Sequence, residues 1–203
     1  MKTKMKIGIF GGTFNPVHNA HLSIARSFID EIQLDVCYFV PAWLSPFKVD
    51  ISNEVFIPAT QRTEMLKIAL EKEPKFQIDT FEIDKMDISY SIETINHFIN
   101  KYHESEFYLL IGSDQLMDFH KWKDYEQILN LVQICIAERP GFQIFDKYLY
   151  KFTINGKKPK IISSQMINIS STEIRNCIIN HLPLTNLLPK LVEEYILNNN
   201  LLI

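Results

Sequence analysis

Short, largely apolar runs alternate along this chain with stretches whose apolar residues recur every three or four positions. Lys6–Phe10, Val36–Val40, Phe107–Ile111 and Val132–Ala137 are of the first kind and predict strands. Asn19–Gln33 is of the second kind, with Leu22, Ala25, Phe28, Ile29 and Ile32 on one helical face. Ser91–Tyr102 repeats that spacing through Ile92, Ile95, Phe98 and Ile99. Thr60–Lys72 is helical by propensity and stops at Pro74, and Tyr125–Leu131 predicts a short helix. Phe76–Ile83 reads as extended, and Lys160–Ile162 as a short last strand. From about Ile169 onward the pattern is helical, so 169–203 is expected to form a small helical part of one domain spanning 1–203.

Runs such as VCYFV, FYLLI and QICIA would be apolar on both faces, as in a parallel sheet covered by helices. Their alternation with helical patterns predicts an α/β fold: a doubly wound, mostly parallel Rossmann-like sheet with helices on both faces. In such sheets ligands bind beyond the carboxyl ends of the strands, where the strand order reverses. The conspicuous polar segments follow strand ends: GGTFNPVHNAH, PAWLSPFK, GSDQ and ERPG. The stretch between Pro41 and Pro58 is long for a connection, which suggests a functional loop.

Composition narrows the function classes. With 203 residues, 46% hydrophobic and 22% charged, the chain is of ordinary globular type, not fibrous or low-complexity. A net charge of −3 argues against a nucleic-acid partner, which usually leaves a basic patch. Cys37, Cys135 and Cys177 show neither a disulfide framework nor zinc spacing. The apolar run Val36–Leu44 is far below the ~20 residues of a membrane helix, and the basic start is too short for a signal peptide. These features predict a cytoplasmic protein with no membrane partner. A homo-oligomer is compatible with them. Lysine dominates the 21 basic residues, so each arginine (Arg26, Arg62, Arg139, Arg175) is a candidate for planar, bidentate work.

Two segments carry most of the candidate chemistry. In the first, Gly11 and Gly12 at a strand end let a ligand approach the backbone, and His18 and His21 share a face at the start of a helix. The helix N-terminus adds free N–H groups and a positive dipole end, so a phosphate site is predicted. Read alone, the same residues fit a tight turn with surface histidines, or half of a metal site without a local third ligand. In the second, Ser170 and Glu173 form a capping-box pattern with Ser171 and Arg175 close by. Hydroxyls, N–H groups and a guanidinium could hold a phosphate chain there, although an ordinary capped helix has the same residues. Gly112, Ser113 and Asp114 could meet a ribose or a metal, or simply cap a helix. Trp122 could stack on a planar ring or anchor the helix that follows.

GGTFNPVHNAH and ISSTEIR, in this order, resemble the nucleotidyltransferase superfamily of class I aminoacyl-tRNA synthetase-like folds. With Gln61-Arg62-x-x-Met65-Leu66, Ser89-Tyr90-Ser91, Gly112-Ser113-Asp114, the Trp122–Leu129 segment and Arg139-Pro140-Gly141, the likeness narrows to the bacterial nicotinate-nucleotide adenylyltransferases. It covers nearly the whole chain. The resemblance implies transfer of AMP from ATP to nicotinate mononucleotide, releasing pyrophosphate. It implies His18, His21 and Arg175 as the catalytic groups. Gly11, Gly12, Phe14, Gly112, Asp114, Ile169, Ser170 and Ser171 would bind ATP. Thr13, Lys48, Ser91, Trp122, Lys123 and Arg139 would bind the mononucleotide. Mg²⁺ would ride on the ATP phosphates, with no all-protein metal site. Nicotinamide mononucleotide and phosphopantetheine are alternative acceptors, and a non-catalytic nucleotide-binding regulator is the alternative from another class. The chain departs from the family pattern at Ala20, usually glycine, and at Phe47, usually histidine.

Overall fold

A computed structural model describes residues 4–48, 56–138, 149, 152, 158–163 and 169–201. Its sheet has six parallel strands: β1 (Lys6–Gly12), β2 (Val36–Pro41), β3 (Phe76–Ile78), β4 (Glu106–Gly112), β5 (Gln133–Ala137) and β6 (Lys160–Ile162). They lie in the order β3-β2-β1-β4-β5-β6. The chain therefore winds outward from β1 in one direction, returns, and winds outward in the other. The order reverses between β1 and β4, and the expected crevice opens there.

Strand interiors follow the apolar runs closely. Every residue of β2 is buried, as a strand covered on both faces requires. Two apolar layers flank the sheet. One joins Phe28, Phe39, Met65 and Leu66 to Ile174, Val192 and Ile196. The other joins Ile7, Ile9, Ile95, Phe98, Ile111 and Ile136. Side chains so buried contribute roughly 1.5–3 kcal/mol each, which makes these layers the main stabilising force. α1 (Asn19–Ile32) buries Leu22, Ile24, Ala25, Phe28, Ile29 and Ile32 and ends in a left-handed Gln33, φ 58°. Gly8 lets this helix lie close to β1: a Cβ there would stand 2.7 Å from the Phe28 ring and 2.6 Å from Leu34. The two C-terminal helices, α6 (Ser171–Ile179) and α7 (Lys190–Asn198), send Ile174, Ile178, Val192 and Ile196 into the first layer. No helix among the described residues is long and apolar enough to cross a membrane.

Two details differ from the sequence reading. β1 continues through Gly11 and Gly12, because these pair with Val40 and Pro41 of β2. The extended segment expected over 76–83 is a strand only to Ile78. Asp79 Oδ1 accepts from Phe81 N–H at 3.0 Å and turns the chain into a short helix, α3 (Phe81–Lys85). Glu82 and Asp84 then lie in its first turn, where the helix dipole favours acids. This local carboxylate–backbone bond outweighs the β-leaning residues Phe81 and Ile83. α2 (Ala59–Leu70), α4 (Ser91–Lys101) and α5 (Tyr125–Leu131) stand where propensity and periodicity put them, within one or two residues at each end.

Candidate active site

A cavity of about 530 Å³ opens at the carboxyl end of the sheet, over β1 and β4. Gly11, Gly12, Thr13, Phe14, His18 and His21 line one side. Ile169, Ser170, Ser171 and Arg175 close it from the start of α6. Ser91, Gly112, Asp114, Trp122 and Lys123 line the rest. Fifteen of the seventeen expected site residues therefore share one space, although they come from five parts of the chain. Lys48 ends a 3₁₀ turn at Pro46–Lys48 beside it, and Arg139 lies outside the described residues. A Cβ on Gly11 would meet nothing within 4 Å, so the missing side chain leaves cavity space open to a ligand.

The histidine pair is organised by the backbone. His18 is the N-cap of α1, and its Nδ1 accepts from His21 N–H at 3.4 Å. His21 Nδ1 accepts from His18 N–H at 3.2 Å, so the two imidazoles form a reciprocal capping box. A ring nitrogen that accepts carries no proton. This pattern assigns both rings as the tautomer with hydrogen on Nε2, giving two imidazole donors at one helix start. The rings stack with centroids 3.6 Å apart, and the Phe14 ring holds His21 edge-on at 5.1 Å. Asn19 N–H donates to Leu187 O at 3.0 Å, anchoring the same helix start to the segment between α6 and α7.

The loop between Thr13 and Pro16 is held by its carbonyls. Phe14 has φ 49°, and the Asn15–Pro16 peptide is cis. Arg175 Nη1 donates to Asn15 O at 2.9 Å, and its Nη2 donates to Thr172 Oγ1 at 3.2 Å. Ser171 Oγ donates to Pro16 O at 3.0 Å. The capping box at Ser170 and Glu173 forms as the sequence predicts, with Ser170 Oγ accepting from Glu173 N–H at 3.2 Å. Ala20 is not among the cavity-lining residues, so its methyl does not narrow the space. Phe47 does line it, half exposed.

Sequence reasoning missed the scaffold of the opposite wall. Glu82 is buried, lines the cavity and accepts from Thr94 Oγ1 at 2.5 Å. Burial raises its carboxyl above the usual range despite hydrogen bonds from Thr94 and Ser89. Ser89 in turn accepts from Trp43 N–H at 3.0 Å and donates its own N–H to Leu44 O at 2.9 Å. The segments after β2 and before α4 are thus zipped together. Lys123 Nζ donates to Glu93 Oε1 at 2.9 Å and sits 4.4 Å over the Tyr90 ring. Lys85 holds the other oxygen of Glu93. Of this network the sequence pointed to Ser89-Tyr90-Ser91 and Lys123 but not to Glu82, Lys85 or Glu93, because charge pairs across α3, α4 and the 122–123 turn have no periodicity of their own. Trp122 packs on Phe119 at 4.9 Å, and its indole N–H is buried without a partner among the described residues. Of the other histidines, His97 is structural, stacked on Phe81 and bonded to Asp79 at 3.2 Å, while His103, His120 and His181 are exposed.

Two stacked imidazoles and the starts of two helices line one cleft at the strand-order reversal, an arrangement suited to binding a phosphate chain. The chain matches the cytidylyltransferase-like family over residues 9–177. It belongs to that family and, within it, to the nicotinate-nucleotide adenylyltransferases. It is 39% identical to a probable nicotinate-nucleotide adenylyltransferase of Clostridium acetobutylicum, covering 97% of this chain and 98% of that one. To the Bacillus licheniformis relative of the same name it is 34% identical, with 97% of each chain covered. A nicotinic acid mononucleotide adenylyltransferase of Plasmodium falciparum, solved with NaAD, shares the fold at a TM-score of 0.74. Its identity is 21%, with 98% of this chain and 97% of that chain covered.

Proposed function

We propose that the chain transfers AMP from ATP to nicotinate mononucleotide, forming the dinucleotide and pyrophosphate. The observation that carries this reading is the convergence of His18, His21 and the α6 start on one face of a cavity whose other face holds Ser91 and Trp122–Lys123. In the reaction, an oxygen of the acceptor's 5′-phosphate attacks the α-phosphorus in line. A new P–O bond forms while the bond to the pyrophosphate oxygen breaks, and the pyrophosphate leaves with that electron pair. This chemistry needs alignment and charge stabilisation more than a protein nucleophile.

His18 and His21 donate to the phosphate chain and stabilise charge at the α-phosphate. The N–H groups and hydroxyls at Ser170 and Ser171 hold ATP from the α6 side, with Arg175 beside them. Gly11, Gly12, Phe14, Gly112 and Ile169 shape the adenosine half, and Asp114 meets the ribose. Thr13, Lys48 and Arg139 take the acceptor's phosphate side. Ser91 and the Trp122–Lys123 backbone receive the pyridine carboxylate. An acceptor oxygen near the Trp122 indole N–H would relieve an unpaired buried donor, which favours a carboxylate over an amide that also needs acceptors of its own. Mg²⁺ would be carried by the phosphate oxygens of ATP. When bound, the ion neutralises part of the phosphate charge. The proposed location is the cytoplasm.

The test is pyrophosphate release with ATP and Mg²⁺, with nicotinate mononucleotide, nicotinamide mononucleotide or phosphopantetheine in separate wells. Release with nicotinate mononucleotide alone is the expected result. Release only with another acceptor would move the substrate, and silence in all wells would favour a nucleotide-binding regulator.

A further inference from the structure

Among the described residues Arg62 is the largest fully buried side chain, with no exposure at all. Its guanidinium meets three carbonyls from three separate segments. Nη1 donates to Thr13 O at 2.6 Å, in the loop that leads to the histidine pair. Nη2 donates to Ala42 O at 2.7 Å, just after β2. Nε donates to Ile57 O at 3.0 Å, just before α2. The Phe56 ring covers the group at 5.2 Å. Ile57 N–H donates to Asn15 Oδ1 at 3.0 Å, and Asn15 O accepts from Arg175. The two buried arginines therefore hold two carbonyls of the 13–16 loop.

Burying a guanidinium against neutral carbonyls is a costly way to fill space. Desolvation lowers its pKa to about 10. What it provides is a rigid planar fork whose three donors fix three backbones at once. Thr13 and Ala42 follow the carboxyl ends of the neighbouring strands β1 and β2, and both line the cavity where donor and acceptor would meet.

We infer that Arg62 is a positioning residue for the transfer step: it sets the separation between the Thr13–His21 wall and the segment after Ala42. The inference rests on the adenylyl-transfer reading of the cavity. Arg62 touches no ligand-facing space itself, and acts through the Thr13 and Ala42 carbonyls. A misplacement on the order of 1 Å in such a frame costs about a hundredfold in rate while leaving binding largely intact.

The experiment uses Arg62→Lys in the full chain, since lysine keeps the charge and loses the fork. Arg62→Gln, which leaves no buried charge, serves in parallel where the lysine variant does not fold. Assays run well below each variant's unfolding temperature, and the imidazole NMR signals of His18, His21 and His97 are recorded. The expected result is a fall in kcat of roughly 30-fold or more, with each KM within about threefold. The His18 and His21 signals should shift while His97, which is bonded to Asp79 and to none of the three segments that Arg62 holds, stays in place. A lower melting temperature with kcat within threefold of wild type and unmoved His18 and His21 signals would overturn the inference and leave Arg62 purely structural. Silence of the wild type with every acceptor would instead remove the transfer reading, and the NMR arm would still decide whether Arg62 sets the histidine geometry.

Discussion

On one side of the cavity the groups that hold the machinery in place are buried and mostly bonded to backbone. Arg62 and Arg175 hold the carbonyls of Thr13 and Asn15, and the two histidines cap a helix with each other. On the other side, part of the support is a chain of half-exposed charges, Lys85–Glu93–Lys123, running beneath Tyr90. The difference is physical. On the proposed reading the first side keeps donors aligned on a phosphorus at which charge develops, a task suited to bonds that water cannot exchange. The second side, on the same reading, receives a small anion-bearing ring, and screened ion pairs are enough to place a turn. Hydrogen bonds from Lys85 and Lys123 hold the Glu93 carboxyl below its usual range, and the same bonds raise both lysines.

The comparison breaks most visibly at His18. His18→Ala removes a donor from the buried side and half of the capping box. A drop in kcat of about 10²–10³ is expected, the usual effect of losing one donor to a developing oxyanion. Steady-state kinetics with near-normal turnover would show that the pair does not act at the phosphorus.

A smaller effect belongs to the opposite wall. Glu93→Gln should raise KM for the mononucleotide by less than about sixfold, because exposed pairs contribute about 0.2–1 kcal/mol. Neither kcat nor KM for ATP should move. Salt near 0.5 M should bring the wild type toward the variant, since screening weakens the pairs. A salt-independent difference would mean that Glu93 works by packing.

The smallest effect concerns Asp79, on which the second wall rests through Phe81, His97 and Lys101. Burial alone would raise its carboxyl, but bonds from Lys101, Phe81 N–H and His97 outweigh burial and leave it below the usual range. A depressed carboxyl adds stability that is present above its unfolded pKa, about 4, and is lost as pH falls through the lower folded value. Urea unfolding of wild type and Asp79→Asn should therefore differ by a constant amount between about pH 5 and 7. The gap should narrow below pH 4. A gap that widens on acidification would reverse the assignment.

Much of the fold was legible because periodicity and burial are local properties. The strands VCYFV and FYLLI carry their own signal, and α1 carries its apolar face. The turn at Asp79 was not legible, since a carboxylate closing on the N–H two residues ahead competes with β-leaning neighbours on nearly equal terms. His18 and His21 could be placed because their spacing puts them together on any helix start. Glu82 could not, because the reason for burying it lies on another helix, at Thr94.

By itself the chain determined a parallel sheet, helices on both faces, and polar segments that follow strand ends. Those follow from residue patterns a few positions long. Only the tertiary structure decided that Arg62 is a hub instead of a surface cation. It also decided that Ser89 joins the segment after β2, and that Arg175 braces the loop carrying the histidines. Each of these depends on partners 20 to 160 residues away. Such contacts exist only once the strand order has brought β1, β2 and the start of α6 to one end of the sheet.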